Sequence, residues 1–304
     1  MDDGMPSILV RLRRGEILVS DGAMGTMLFQ RGLEPGGCPE SFNIEKPDIL
    51  EEIASLYLEA GAEIVQANTF GASPLKLSEY HLEDRTEEII ASAVSAVRST
   101  VGDLAYVSGS CGPSTRILLP YGDTEPDTVY RSFERQMRAL ISAGVDVLCV
   151  ETMTDLREAV LAVKAAKEVS VEVPVMATMT FDKTGWGFYT IMGVSVDEAA
   201  GGLEDAGADV IGSNCGNGIE EMVEIAAELN SHTSLPIIIQ SNAGVPVAVE
   251  GGLRYDEGPD LFAEKVPSLI EAGVSIIGGC CGTTPEHIRA IRRAVDSHSG
   301  RSHR

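Results

Sequence analysis

AGAEIVQANTF (residues 60–70), AGVDVLCVETM (143–153), AGADVIGSNCG (206–216) and AGVSIIGGCCG (272–282) are four variants of one phrase. Each opens on Ala-Gly, runs through a short β-branched or aliphatic stretch, and ends on polar or sulfur-bearing residues. Glycine supplies the left-handed residue that ends a helix. An apolar run without polar alternation is a strand buried on both faces, as in a parallel sheet. The polar residues then fall at the strand's C-terminal end. Four further runs fill the intervals: GEILVSDGAMG (15–25), LAYVSGSCGP (104–113), VPVMATMTF (173–181) and LPIIIQSNAG (235–244). Helix-period segments lie between them at 47–60, 86–101, 126–143, 155–169, 196–206, 219–229, 259–272 and 285–295. Several of these open on Pro or an acidic residue, as helix N-termini favour.

Unbroken strand–helix alternation predicts a parallel sheet. A count of eight units predicts a closed (β/α)8 TIM barrel, α/β in class and a single domain. The barrel is expected over 15–295, with an N-terminal extension at 1–14 and a polar C-terminal tail at 296–304. A dinucleotide-binding fold is not indicated, because DGAMGT after the first strand has two glycines at the wrong spacing. The length of 304 residues with 44% hydrophobic content can fill one such barrel.

The charge balance narrows the partners. With 23 basic against 46 acidic residues, the formal net charge is −23. Nucleic acid and anionic membranes both require positive charge and are not expected partners. No apolar run approaches the ~20 residues that cross a bilayer. The apolar stretch after Met5 is short and is followed by Arg11, Arg13 and Arg14, unlike a signal peptide. A soluble, cytoplasmic protein in a reducing compartment is expected. The six cysteines (Cys38, Cys111, Cys149, Cys215, Cys280 and Cys281) are too sparse for a disulfide-built fold.

Barrel chemistry sits at the C-terminal strand ends. There the sequence places Asp21 and Gly22, Asn68 and Thr69, Ser110 and Cys111, Glu151 and Thr152, Thr178, Asn214 and Cys215, Asn242, and Cys280 and Cys281. Strand eight closes against strand one and neighbours strand seven, so Cys215 and the Cys280–Cys281 pair can face one mouth. Three thiolates with one open position are the composition of a catalytic zinc site. Gly278, Gly279 and Gly282 permit the sharp turn that lets adjacent cysteines reach one ion. An isolated cysteine is more often a small buried hydrophobe, which is the reading for mid-strand Cys149; Cys38 is uninformative and Cys111 is open. A redox pair at Cys280–Cys281 is the competing reading.

SDGAMGTML (20–28), QANTF (66–70), GSCGP (109–113), ETM (151–153), GSNCG (212–216) and GGCCGTTPEHI (278–288) together resemble the homocysteine S-methyltransferase family. Within it, the resemblance is nearest to the homocysteine-binding barrel of cobalamin-dependent methionine synthases. It implies one Zn2+ per chain, held by Cys215, Cys280 and Cys281, with Asn242 as a resting fourth ligand. It implies that the homocysteine ammonium meets Asp21 and Glu151. The substrate carboxylate meets backbone amides near Ala23 and Met24, and Asn214 orients Cys215 or bonds substrate. The zinc-bound thiolate would then attack an activated methyl group to form methionine. No Asp-x-His-x-x-Gly cobalamin signature occurs, and the barrel ends near residue 295, so no cobalamin or folate module is expected on this chain. The methyl donor expected is a separate methyl-corrinoid protein. The alternatives are a small onium donor (S-methylmethionine or betaine) and a non-catalytic subunit that presents homocysteine to a partner enzyme. Onium recognition favours aromatic faces, for which Trp186 and Tyr189 are the candidates.

Overall fold

The computed structural model describes residues 5–249, 252–298 and 300. Residues 1–4 of the N-terminal extension, and 299 and 301–304 of the tail, including His303, lie outside the described residues. Eight strands form one sheet: β1 (Leu18–Val19), β2 (Ile64–Ala67), β3 (Tyr106–Cys111), β4 (Val147–Met153), β5 (Val175–Met179), β6 (Val210–Asn214), β7 (Ile237–Ser241) and β8 (Val274–Gly279). Neighbours run β1–β8–β7–β6–β5–β4–β3–β2, and every pairing is parallel. β1 and β2 meet through a parallel bridge between Ser20 and Ile64. There Glu63 N–H donates to Val19 C=O at 2.7 Å and Asp21 N–H to Ile64 C=O at 3.0 Å. The sheet is thereby closed into the expected (β/α)8 barrel.

Each strand is followed by a helix that packs outside the barrel: Pro47–Glu59, Thr86–Val101, Pro126–Ala143, Leu156–Val169, Val196–Ala206, Ile219–His232, Pro259–Glu271 and Pro285–His298. The Ala-Gly phrases do what their chemistry requires. Gly61, Gly144, Gly207 and Gly273 have φ of 97°, 88°, 98° and 90°, left-handed values that stop four helices just before four strands. Among the described residues, no helix is long and apolar enough to cross a membrane.

Side-chain alternation along the strands separates core from site. Successive residues of a strand point to opposite faces. Leu18, Ile64, Tyr106, Val147, Cys149, Met176, Val210, Ile238 and Ile276 form one buried cluster inside the barrel. Val19, Val65, Val107, Leu148, Val175, Ile211, Ile239 and Ile277 belong to the other cluster, beneath the helices. Moving along the inward face by steps of two turns apolar into polar: Ile64 leads to Gln66, Val147 to Glu151, Val210 to Asn214, Ile238 to Gln240 and Asn242, and Ile276 to Cys280. The lower half of the barrel interior is therefore a packed core, and the upper half is a polar mouth. Gly278 is needed on this inward face, because a Cβ there would overlap Ser20 Oγ across the closure.

The barrel's N-terminal end is closed by a short helix, Ile8–Arg13. Ile8 and Leu12, one turn apart, join the interior cluster. Arg11 fixes this helix through Glu16 at 2.8 Å and Glu63 at 2.5 Å, and Arg292 reaches the same Glu63 at 2.7 Å. At the opposite end two hairpins project from the loops after β5 and β7: Asp182–Thr184 with Gly187–Tyr189, and Val247–Val249 with Gly252–Arg254.

Candidate metal and substrate site

The sulfurs of Cys215, Cys280 and Cys281 lie within 4.8 Å of one another, with Cys215 and Cys281 at 3.9 Å. The end of β7 organises all three. Cys215 N–H donates to Gln240 C=O at 3.1 Å, Cys280 N–H to Ser241 C=O at 2.7 Å, and Ala243 N–H to Cys281 C=O at 2.9 Å. Cys215 has a φ of 61°, a left-handed conformation that costs a side-chain-bearing residue about 1–2 kcal/mol. Thr283 Oγ1 donates to Cys280 C=O at 2.7 Å and closes the turn that carries the pair.

The three thiols perturb one another's protonation. Contact with the Cys280 and Cys281 thiols holds the Cys215 pKa far below the usual thiol range. Contact with Cys215, together with burial, pushes the Cys280 and Cys281 thiols up. Asn242 is buried beside Cys215, and its Oδ1 has no hydrogen-bond partner. Three thiolates plus an unpartnered amide oxygen are a donor set that fits zinc.

The sulfurs open into a cavity of about 260 Å³ whose walls include Ala23, Met24, Glu40, Gln66, Phe70, Ser110 and Glu151. Asp21 lies just behind it, 1% exposed. Its Oδ2 accepts Gln66 N–H at 2.7 Å, while Oδ1 is buried without a partner. Burial, reinforced by the nearby Glu151, pushes the Asp21 carboxyl up to about 8. Burial also pushes Glu151 up to about 7, although a hydrogen bond from Ser110 Oγ opposes the shift. Glu151 in the cavity wall and Asp21 just behind it are two destabilised carboxylates suited to a cationic ligand.

Asn214 joins this carboxylate end to the sulfur end. Its Oδ1 accepts from Thr152 N–H and Thr178 Oγ1, both at 2.7 Å. Its Nδ2 lies 2.8 Å from Thr152 Oγ1, 3.3 Å from Glu151 Oε2 and 3.7 Å from Cys280 Sγ. Met24 opens the helix Met24–Gln30, and Ala23 N–H donates to Thr283 Oγ1 at 3.1 Å.

The remaining cysteines stand apart. Cys149 is interior core. Cys111 lies on the outward face of β3, and its thiol meets Gln136 Oε1 at 3.2 Å. Cys38 is buried, with its thiol 3.5 Å from Glu40 Oε2. Three groups at the site carry no sequence signal of their own. Glu40 lines the cavity and accepts Gly71 N–H at 2.6 Å. Thr283 ties Ala23 to Cys280. Tyr255 rests its ring on Gly282, beside Cys281 in the chain. Trp186 sits at a hairpin tip, 91% exposed, away from the cavity walls.

The family model described as homocysteine S-methyltransferase matches residues 18–295, the barrel from β1 onward. The chain belongs to the homocysteine S-methyltransferase family. Among curated members it is 37% identical over 298 residues to a methionine synthase of Mycobacterium leprae (strain TN), covering 92% of this chain and 24% of that protein. It is 36% identical to the methionine synthase of Mycobacterium tuberculosis (strain ATCC 25618 / H37Rv), with the same coverage. The chain thus spans about a quarter of the length of these relatives. Among solved structures, the homocysteine methyltransferase MmuM from Escherichia coli in its metallated form superposes with a TM-score of 0.75 at 22% identity, over 93% of this chain and 98% of that one. At that identity the likeness concerns the fold.

Proposed function

We propose that this barrel is a zinc-dependent homocysteine S-methyltransferase that forms methionine. The observation that carries the reading is one cavity with three clustered cysteine sulfurs, the buried Glu151 carboxyl in its wall and the unpartnered Asp21 Oδ1 behind it. Zinc bound by Cys215, Cys280 and Cys281, with Asn242 as its resting fourth ligand, would supply the Lewis acidity that makes a substrate thiol a thiolate near neutral pH. Asp21 and Glu151 receive the homocysteine ammonium, which stabilises their ionised forms and reverses the upward shifts of the empty cavity. The substrate carboxylate falls to the amides of Ala23 and Met24, with the Ala23 N–H exchanging Thr283 Oγ1 for it. Asn214, with every polar atom already engaged, orients Glu151 and Cys280 rather than substrate. The substrate sulfur then forms a bond to the methyl carbon as the donor's bond to that carbon breaks, its electron pair staying with the donor.

A separate methyl-corrinoid protein is the donor we favour. Among the described residues lining the cavity, Phe70 is the one aromatic side chain. An aromatic cage for an onium methyl donor would need more, and neither Trp186 nor Tyr189 lines the cavity. The test is a donor screen on zinc-loaded protein with homocysteine, comparing methylcobalamin and methyl-corrinoid protein with S-methylmethionine and betaine. Methionine from the corrinoid donors alone supports the proposal. Turnover with an onium donor alone would move the chain to that chemistry. Homocysteine binding without turnover by any donor would make it a presenting subunit.

A further inference from the structure

The three clustered cysteines come from two loops, Cys215 after β6 and the Cys280–Cys281 pair after β8. A third loop, after β7, lies between them and carries Asn242. Backbone bonds join the three: Asn242 N–H donates to Asn217 C=O at 3.2 Å, and Ala243 N–H to Cys281 C=O at 2.9 Å. Behind this junction stand two residues that do not line the cavity, Glu257 and His287.

Glu257 grips the loop after β6. The helix Ile219–His232 begins at Gly218, which has no side chain to cap it. Glu257 Oε2 accepts the Ile219 N–H at 2.9 Å and serves as that cap from 38 residues away. Gly218 leaves the room, since a Cβ there would overlap the Glu257 carboxylate. The Glu257 N–H donates to Ala243 C=O at 3.0 Å, so the same residue also grips the loop after β7. His287 grips the loop after β8. It is the third residue of the helix Pro285–His298, and its Nδ1 accepts the Thr284 N–H at 3.1 Å, the contact that Glu or Gln makes in a capping box. With Nδ1 accepting, the ring proton sits on Nε2, which lies 3.0 Å from the Glu257 carbonyl oxygen and donates to it. Phe262 packs edge-on against this buried ring at 5.0 Å. An ionised Glu at position 287 could cap the helix but could not donate to Glu257; a neutral imidazole does both.

We propose that Glu257 and His287 are positioning residues that form one latch. It fixes the three loops relative to one another, so that Cys215, Cys280 and Cys281 are gathered before a metal arrives. The Glu257 side chain holds one loop and its carbonyl, through His287, holds the other. The two grips act in series, and cutting either end frees both loops. The consequence for metal binding rests on the zinc reading above; the coupling of the loops does not.

The experiment compares the full wild-type chain with Glu257→Ala, His287→Ala and the double variant. Leu12→Ala is the control, destabilised at the opposite end of the barrel. Backbone hydrogen exchange of the zinc-free proteins is read across residues 216–219, and zinc affinity by competition with a chromogenic chelator. In His287→Ala the Ile219 amide, on the other loop, should exchange faster by about five-fold. In each single variant the zinc dissociation constant should rise by about ten-fold. The double variant should bind zinc no more weakly than the weaker single variant, and Leu12→Ala should bind it as wild type does. An Ile219 amide unchanged in His287→Ala would overturn the proposal. So would additive losses of zinc affinity in the double variant, or an equal loss in Leu12→Ala, since the two residues would then act separately or only through overall stability. A wild type that takes up no zinc would instead bring down the zinc reading and leave the exchange comparison to decide the latch.

Discussion

Replacing Asn214 by Ala tests how the two ends of the site are joined. The side chain is fully buried and bonds Thr152, Thr178, Glu151 and Cys280. The alanine variant leaves the Thr152 N–H without its acceptor, and a backbone donor at a fixed strand end cannot turn away. A buried unsatisfied donor costs about 1–3 kcal/mol. The Thr178 hydroxyl can rotate to another acceptor and adds little. With the small void left by the amide, the total is about 3 kcal/mol. In a domain of this size that lowers Tm by about 5 °C. The accompanying functional effect is a raised KM for homocysteine, because Glu151 loses a donor that orients it. Differential scanning calorimetry and steady-state kinetics measure the two. Asn214→Asp separates them: it keeps the acceptor oxygen for Thr152 but sets a second carboxylate against Glu151, so it should recover much of Tm and little of KM. An Asn214→Ala variant with Tm within about 1 °C of wild type and unchanged KM would refute the reasoning.

Other outcomes follow from the same structure. Glu151→Gln keeps the Ser110 contact but removes a charge facing the substrate ammonium, so KM for homocysteine should rise by about ten-fold or more while zinc content stays constant. Asp21 is raised from 3.8 to about 8, so between those values the folded free protein holds a proton that the unfolded chain has released. Stability of the substrate-free protein should therefore fall as pH rises through that window, and Asp21→Asn should flatten this part of the Tm–pH curve. Leu12→Ala removes part of the N-terminal plug from the barrel interior and should cost about 2–3 kcal/mol. Calorimetry should show that loss while metal stoichiometry and KM are unaltered.

Much of this molecule was legible in its sequence because barrels repeat. The Ala-Gly phrases marked where helices stop and strands start, and the polar phrase ends marked the mouth. Strand parity alone assigns Cys111. Residues 106, 108 and 110 face inward, so Cys111 must face the helices, where Gln136 meets it. The groups that were not legible lie outside the repeat. Tyr255 and Glu257 come from the irregular stretch after the second hairpin, and only folding brings them to Gly282 and Gly218. Glu40 sits in the long loop between β1 and its helix, where sequence distance says nothing about its approach to Gly71. Ile8 and Leu12 repeat only once, too short a periodicity to show that a leading segment would plug the barrel. The Ala23 amide, read as a substrate donor, meets Thr283 in the free protein, a contact across almost the whole chain length.

The central claim is that Cys215, Cys280 and Cys281 form a metal site with one position kept for a substrate thiol. X-ray absorption at the zinc edge, with and without homocysteine, addresses it most directly. The account predicts about one zinc per chain bound to three sulfurs and one lighter atom, with the lighter atom replaced by a fourth sulfur at about 2.3 Å when homocysteine is added. A sulfur count that does not change on addition of saturating homocysteine, or a zinc that persists in Cys280→Ala, would contradict it.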